Sequence, residues 1–181
     1  MPGRIEVVCG CMYAGKTTEL VRRMVKANNA IAFKPTLDAR YHESKLATHD
    51  GLTQDAIPVP ATVHGMGRIL QESKGYAVVG IDECQFFSDS IVTVVDALAN
   101  RGTRVICAGL DLDYRGYPFG PMPSLIAIAD DVKKLTAKCS CGAKANRTFK
   151  TTLGSELVEV GSHGLYEAKC RSCWSRNNGA F

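Results

Sequence analysis

The sequence predicts an α/β fold with a mainly parallel β-sheet flanked by helices, followed by a small β-rich module. Unbroken apolar runs, typical of strands buried on both faces, alternate with segments whose apolar residues recur at helical spacing. Because helical crossovers make successive strands parallel, this alternation favours a parallel sheet. The strand-like runs lie at 5–9, 31–33, 77–81 and 105–108, and the helical patterns lie at 17–28, 64–72 and 91–99.

The character of the chain changes after Leu135, where paired cysteines, glycines and short β-type segments replace the helical patterns. We therefore predict two domains, a core over 1–136 and a smaller domain over 137–181. Two polar segments of the core are predicted to be functional loops. The first follows Pro35 and runs to about Pro60, with room for one further strand, and the second is a mobile loop over 111–123.

Composition indicates an ordinary soluble globular protein, with 181 residues, 45% apolar and 22% charged. A chain of this size buries roughly 70% of its unfolded surface. The net charge of +4 comes from scattered basic residues, which suits anionic ligands such as nucleotides but is not the clustered patch of a duplex-DNA binder. Without a signal-like segment or a long apolar stretch, we expect a cytoplasmic protein with neither membrane nor nucleic-acid partners.

A phosphate-binding loop is the most specific motif. Residues 10–17, Gly-Cys-Met-Tyr-Ala-Gly-Lys-Thr, match the P-loop pattern between a predicted strand and a predicted helix. A chance glycine-rich turn is the alternative, but a random chain of this length shows the pattern only roughly once in a hundred cases. Backbone N–H groups would cradle phosphate, Lys16 would reach the β- and γ-phosphates and Thr17 would bind Mg²⁺. The candidate residues for ATP and Mg²⁺ in this loop are Gly10, Met12, Tyr13, Ala14, Gly15, Lys16, Thr17 and Thr18.

An acidic doublet follows the most apolar predicted strand. Asp82 is placed to hold Mg²⁺ directly or through water, and Glu83 is placed to accept a proton. Neighbouring side chains on a strand point to opposite faces, so a functional Glu83 requires that the strand has ended and turned. The alternative for Glu83 is a solvated loop carboxylate.

Eight cysteines occur in a chain expected to reside in a reducing compartment, so burial or metal binding is favoured over disulfides. Cys9, Cys84 and Cys107 lie in or beside apolar runs and Cys11 lies in a glycine-bounded loop, so these four are predicted to serve packing or local filling. The other four form two close pairs, Cys139/Cys141 and Cys170/Cys173, which packing does not explain. Cys170 and Cys173 have the C-x₂-C spacing of a zinc knuckle, so the two pairs are candidate ligands of a structural Zn²⁺.

Together these segments resemble the type II thymidine kinase family. The matching stretches occur in family order across nearly the whole chain, at 11–20, 33–41, 48–51, 80–87, 109–120, 134–137 and 166–173. The resemblance implies a RecA-like P-loop NTPase core and a zinc-binding domain with a lasso loop. It also implies transfer of the γ-phosphoryl group of ATP to the 5′-hydroxyl of thymidine, and also of deoxyuridine, in pyrimidine deoxynucleotide salvage.

Roles for the reacting groups follow from the same resemblance. Lys16 and Thr17 would hold the ATP phosphates and Mg²⁺, with Asp82 supporting the metal ion. Glu83 would be the general base for the 5′-hydroxyl, and Arg40 would stabilise the transferred phosphoryl group.

The nucleoside side of the site is also carried over by resemblance. Thymine would be enclosed by residues from two loops and by a lasso over about 158–169 that closes on the base through its backbone. The substrate-binding residues implied are Met12, Gln85, Phe86, Leu110, Tyr114, Phe119, Val158, Val160 and Tyr166. Fixed donors and acceptors would reject bases with the reversed pattern, because buried groups would be left unpaired. The resemblance further implies a homotetramer and feedback inhibition by dTTP.

One departure from the family concerns the cysteines. Cys139-Ser-Cys141 is C-x-C, one residue shorter than the usual C-x₂-C. The alternatives to four-cysteine coordination are a reduced thiol pair and a site completed by another group such as His163. Two other functions are alternatives. The first is a zinc-ribbon ATPase that depends on nucleic acid, but the sequence has no basic-aromatic stripe. The second is a regulatory nucleotide-binding switch, but the sequence has no recognisable guanine-specificity motif.

Overall fold

A computed structural model describes residues 2–36, 45–47, 53–151 and 164–177. The strands in these ranges are β1 (Arg4–Gly10), β2 (Ala30–Thr36), β3 (Lys45–Ala47), β4 (Thr53–Asp55), β5 (Ile57–Pro60), β6 (Val78–Ile81), β7 (Arg104–Gly109), β8 (Asp131–Leu135), β9 (Ala137–Lys138), β10 (Lys144–Ala145), β11 (Arg147–Lys150) and β12 (Tyr166–Lys169). The helices are α1 (Lys16–Met24), α2 (Val63–Glu72), α3 (Ser90–Asn100), α4 (Met122–Ile128) and α5 (Arg171–Asn177), with a 3₁₀ turn at Cys84–Phe86.

The core is a six-stranded sheet in the order β5-β2-β6-β7-β1-β8, and every neighbouring pair is parallel. Strand β7 separates β1, which carries the phosphate loop, from β6, which carries the acidic doublet. This is the strand order of RecA-like P-loop NTPases, so the predicted fold class is confirmed. The carboxyl ends of β1, β6 and β7 meet at one edge of the sheet, where α/β proteins bind ligands.

Apolar residues fill both faces of the sheet. On one face, α3 and α4 pack on β1 and α2 packs on β5 and α3. Val7 lies in the same buried cluster as Ile69, Val95 and Leu125. On the other face, α1 packs through Leu20 and Met24 against a cluster that includes Val8. Alternate residues of β1 therefore serve opposite faces, as a strand buried on both sides requires.

Several predicted boundaries needed correction. Helix α1 ends at Met24 rather than continuing to residue 28. The segment between Pro35 and Pro60 was predicted as a loop with room for one strand, but β5 joins the sheet beside β2, and β3 pairs with β4 in a small antiparallel sheet. Helix α4 and strand β8 were not predicted.

The segment over 111–123 forms a closed turn. Leu112 bridges Pro118, and Oδ1 of Asp113 accepts hydrogen bonds from the backbone N–H groups of Arg115 and Tyr117, both at 2.9 Å. Asp113 is thus the residue that ties the two arms of the turn together.

The C-terminal module contains two antiparallel pairs, β9 with β10 and β11 with β12, followed by α5. The change from the six-stranded sheet to two-stranded pairs falls between Leu135 and Ala137, near the predicted boundary. The two-domain division itself stays a prediction. Among the helices described here, none is long and apolar enough to cross a membrane.

Candidate active site and metal centre

The phosphate loop leaves β1 at Gly10 and enters α1 at Lys16. Gly10 has φ 143°, and a Cβ there would lie 2.4 Å from the carbonyl oxygen of Leu135 at the end of β8. Only glycine permits both this backbone conformation and this close approach. Further along the loop, Tyr13 and Gly15 also have positive φ, at 63° and 82°.

The side chains at the start of α1 join the loop to the neighbouring strand. Lys16 Nζ donates to the carbonyl oxygen of Cys11 at 2.8 Å, and Thr17 Oγ1 donates to Oδ2 of Asp82 at 2.9 Å. The phosphate loop and the acidic doublet, which are far apart in sequence, therefore meet in space as the sequence predicted.

Asp82 is almost fully buried directly after β6. Burial and then the nearby charge of Glu83 raise the pKa of Asp82 to about 7, against the hydrogen bond from Thr17. A carboxylate held in this way is stabilised in its charged form by a nearby cation. The Thr17 hydroxyl and the Asp82 carboxylate are the oxygen donors that Mg²⁺ prefers, so the residues present fit that ion.

Glu83 lies where the chain turns out of β6. Its backbone is left-handed, with φ 51° and ψ 42°, and it precedes the 3₁₀ turn at Cys84–Phe86. The strand has therefore ended before Glu83, as a functional carboxylate at this position requires. A left-handed conformation is unusual for a residue with a Cβ and often marks a functional site.

Gln85 links Glu83 to the end of β7. Its Nε2 donates to Oε2 of Glu83, and its Oε1 accepts a hydrogen bond from the backbone N–H of Leu110 at 3.0 Å. The Gln85 side chain is buried, and a Cβ at Gly109 would lie 2.7 Å from its Oε1. Gln85 was predicted to bind substrate, and in the structure both ends of its amide contact protein groups.

The aromatic residues of the predicted substrate set that the structure describes make contacts in two places. The rings of Phe86 and Phe119 pack edge to face, with centroids 5.5 Å apart and planes at 88°. Tyr114 lies in the 111–123 turn with Lys150 Nζ 5.3 Å from its ring centroid, and Tyr166 pairs with Lys150 across β11 and β12.

Not every candidate residue can be placed. Arg40, Val158 and Val160 lie outside the described residues, as do His163 and the first half of the predicted lasso. Their assigned roles stay predictions.

Trp174 in α5 joins the module to the core. Its indole N–H is within hydrogen-bond distance of two carbonyl oxygens, that of Tyr114 at 3.2 Å and that of Thr148 at 3.0 Å. The ring packs on Gly116, where a Cβ would lie 3.0 Å from Trp174 Cη2. One side chain thus contacts both the 111–123 turn and strand β11.

The four module cysteines form a single cluster. The Sγ atoms of Cys139, Cys141, Cys170 and Cys173 all lie within 4.8 Å of one another, and those of Cys141 and Cys170 are 3.7 Å apart. A tetrahedral site with Zn–S bonds of about 2.3 Å requires sulfur separations of about 3.8 Å. The short C-x-C pair therefore completes a four-thiol cluster that could hold a metal ion.

Hydrogen bonding within this cluster gives the cysteine thiols different pKa values. Backbone N–H groups, first that of Cys141 and then that of Cys170, lower the pKa of Cys139 to about 6. Hydrogen bonds with the thiols of Cys141 and Cys170 raise the pKa of Cys173 to about 11. A bound divalent cation would displace the remaining protons, because thiolates are the ligand form.

Two buried polar residues near the site were missed by the sequence reasoning. Asp111, just beyond β7, has Oδ2 2.6 Å from Lys134 Nζ, while its Oδ1 is buried and has no hydrogen-bond partner in the part of the chain that is described. Thr148 is buried in β11 and accepts a hydrogen bond from the backbone N–H of Met12 at 3.1 Å. Asp111 was signalled by its position after a buried strand, whereas Thr148 had no comparable signal.

The fold and the paired phosphate loop and acidic doublet define a P-loop nucleotide-binding protein. A family model described as thymidine kinase matches residues 3–174. Thymidine kinases of Bacteroides fragilis and Bacteroides thetaiotaomicron are each 45% identical to the chain, over 96% and 98% of its length and 88% and 89% of theirs. The chain belongs to the thymidine kinase family. A solved structure, the large terminase of thermophilic bacteriophage D6E, aligns with a TM-score of 0.45 at 12% identity, covering 74% of this chain and 41% of that one.

Proposed function

We propose that the chain transfers the γ-phosphoryl group of ATP to the 5′-hydroxyl of thymidine, giving dTMP and ADP. The observation that carries this proposal is the 2.9 Å hydrogen bond between Thr17 and Asp82, which places the phosphate loop beside the acidic doublet. Family membership supplies the nucleoside, since the relatives are thymidine kinases. Deoxyuridine, which lacks only the thymine methyl group, is a proposed second substrate.

The phosphate loop would bind the triphosphate of ATP. Backbone N–H groups over 10–18 would surround the phosphates, and Lys16 would exchange the carbonyl oxygen of Cys11 for phosphate oxygens. Thr17 and Asp82 would hold Mg²⁺, which neutralises charge on the phosphates when it is bound.

Glu83 would take the proton of the attacking 5′-hydroxyl. Its left-handed backbone turns the carboxylate away from the strand direction, and Gln85 fixes one carboxylate oxygen. We propose that Gln85 orients Glu83 and ties it to Leu110 at the wall of the nucleoside pocket. Arg40 is proposed to stabilise the transferred phosphoryl group.

Thymine is proposed to lie among Met12, Leu110, Tyr114 and the packed pair Phe86 and Phe119. The lasso, with Val158, Val160 and Tyr166, would close over the base. The four-cysteine site is proposed to hold a structural Zn²⁺ at the foot of this lasso. A homotetramer, inhibition by dTTP and a cytoplasmic location are further proposals that follow from the family resemblance.

A direct assay tests the proposal. The protein is incubated with γ-labelled ATP and Mg²⁺ and a panel of nucleosides, and labelled nucleoside monophosphates are separated. We expect label in dTMP and, more slowly, in dUMP, with none in purine products. ATP hydrolysis that appears only when DNA is added, with no labelled dTMP, would support the nucleic-acid-dependent ATPase instead.

A further inference from the structure

The peptide unit between Cys11 and Met12 is held from two sides. Its N–H donates to Thr148 Oγ1 at 3.1 Å, and its carbonyl oxygen accepts the Lys16 ammonium at 2.8 Å. Because N–H and C=O of a trans peptide point in opposite directions, fixing one end fixes the other. The hydroxyl of Thr148 thereby sets the direction of the carbonyl group that holds Lys16.

A second contact fixes the same stretch of loop to the module. Cys11 Sγ donates to the carbonyl oxygen of Ala145 at 3.4 Å. Cys11 and Ala14 of the loop lie in the same apolar cluster as Ala145 and the metal-site residue Cys139. Cys11 and Thr148 are both buried, so these hydrogen bonds are sheltered from water.

The surroundings make this anchor necessary. Tyr13, directly after the held peptide, has a left-handed backbone with φ 63°, which is strained for a residue with a Cβ. A strained conformation persists only where neighbouring contacts over-determine it. At Cys11 and Met12 such contacts come from the C-terminal module, through Thr148 and Ala145, and from Lys16 at the start of α1.

We propose that Thr148 is a positioning residue for the phosphate loop, through which the cysteine module holds the loop ready for nucleotide. This inference rests on the proposed function only in taking the loop as the nucleotide site. Without the hydroxyl, the Met12 N–H loses its partner and the peptide is held only at its carbonyl oxygen, by Lys16 and by the backbone N–H of Ala14. Nucleotide binding must then reorder the loop, which lowers affinity without changing the reacting groups.

The test compares Thr148→Val, Thr148→Ala and Thr148→Ser with wild type in binding ADP-Mg by calorimetry, with no nucleoside present. We expect about tenfold weaker binding for Val and Ala, the size of one lost buried hydrogen bond, and binding within about twofold of wild type for Ser. Thr151→Val is the matched control, because Thr151 Oγ1 donates to Gly164 within the same module and is exposed. This control is expected to bind ADP-Mg like wild type.

Two readouts separate positioning from simple loss of structure. Zinc content should stay the same in all variants, and in the kinase assay the KM for ATP should rise about tenfold while kcat at saturating ATP changes less than about threefold. Equal ADP affinity for Val, Ala and wild type would overturn the inference. Weakened binding by Thr151→Val or Thr148→Ser would also overturn it. Failure of wild type to bind ADP-Mg would instead contradict the proposed function.

Discussion

At the scale of single residues, Glu83 combines a strained backbone with a fixed side chain. Because its φ is 51°, its side chain no longer follows the alternation of side chains between the two faces of β6. Gln85 donates a hydrogen bond to one of its carboxylate oxygens. In the proposed role of general base, a carboxylate already fixed in this way would need little reorganisation. The neighbouring Asp82 is buried and accepts a hydrogen bond from Thr17, so the two adjacent carboxylates lie in different environments.

Replacing Glu83 with Gln keeps the size of the side chain but removes the base. We expect kcat for dTMP formation to fall at least about 100-fold, while the affinity for ADP-Mg changes little. Steady-state kinetics and calorimetry measure the two quantities. Glu72→Gln, the same change in α2, serves as the control and should keep full turnover. Unchanged turnover in Glu83→Gln would show that another group takes the proton.

The sequence predicted these residues to different extents. The turn at Glu83 was predictable, because a strand cannot present two adjacent side chains on one face. The link from Gln85 to Leu110 was not, since it joins residues on separate elements and leaves no periodic signal. Thr148 was missed for the same reason: its partner is a backbone N–H in another part of the fold.

At the scale of elements, a buried carboxylate joins the starts of two core strands to α1. Glu6 of β1 accepts two hydrogen bonds from Arg104 of β7, at 2.6 and 2.9 Å, and one from Arg23 of α1 at 2.6 Å. Burial raises the pKa of Glu6, but these hydrogen bonds and the charges of Arg104 and Arg4 outweigh it, so the pKa is lowered. This cluster fixes α1, whose first residue is Lys16, against the sheet.

Glu6→Gln should destabilise the protein by about 2 kcal/mol at pH 7, because Arg104 and Arg23 each lose an ion pair with a buried carboxylate. A lowered pKa in the folded state gives stability above the ordinary value of 4.5 that is lost as pH falls through the folded-state value. The stability difference between wild type and Glu6→Gln should therefore shrink below about pH 4.5. Urea unfolding across pH 3–7 measures it.

The comparison for this prediction is again Glu72→Gln. Glu72 pairs with Arg68 at 2.8 Å, but both side chains are substantially exposed, so the loss should stay within about 0.5 kcal/mol at every pH. A stability difference for Glu6→Gln that is the same at pH 3 and pH 7 would argue against an ionised Glu6 as its source.

The sequence predicted the elements whose burial requires a run or a regular spacing of apolar residues. Strands β1, β6 and β7 are apolar because both faces are covered, and they were found nearly at their observed limits. Strand β8 was missed because it is an edge strand, Asp-Val-Lys-Lys-Leu, largely exposed and without an apolar run. Helix α4 has seven residues and Pro123 in its first turn, so its helical spacing is too short to detect.

At the scale of the whole molecule, the C-terminal module contacts the core at the phosphate loop and at the 111–123 turn. Strand β11 contacts the phosphate loop through Thr148, and α5 contacts the 111–123 turn through Trp174. The metal-site cysteines share an apolar cluster with Cys11 of the loop. The core sheet, in contrast, has its own large apolar clusters on both faces.

Removing a metal ion from the four-cysteine cluster should therefore weaken the binding of both substrates before the core unfolds. After strong chelation we expect the KM values for ATP and thymidine to rise severalfold, with the far-UV circular dichroism of the α/β core largely retained. Adding back Zn²⁺ should restore both KM values, whereas Mg²⁺ alone should not, because four thiolates favour the softer ion. Unaltered KM values in protein shown to be metal-free would contradict this coupling.

The place of Trp174 also makes the docking of the two parts observable. It is the single tryptophan of the chain, and its ring lies between the 111–123 turn and β11 with the indole N–H bonded to carbonyl groups of both. The intrinsic tryptophan fluorescence of the unlabelled protein consequently reports on the contact between the 111–123 turn and the C-terminal module. A red shift in emission and easier quenching by acrylamide would register separation of the parts in real time, during nucleotide addition or chelation alike.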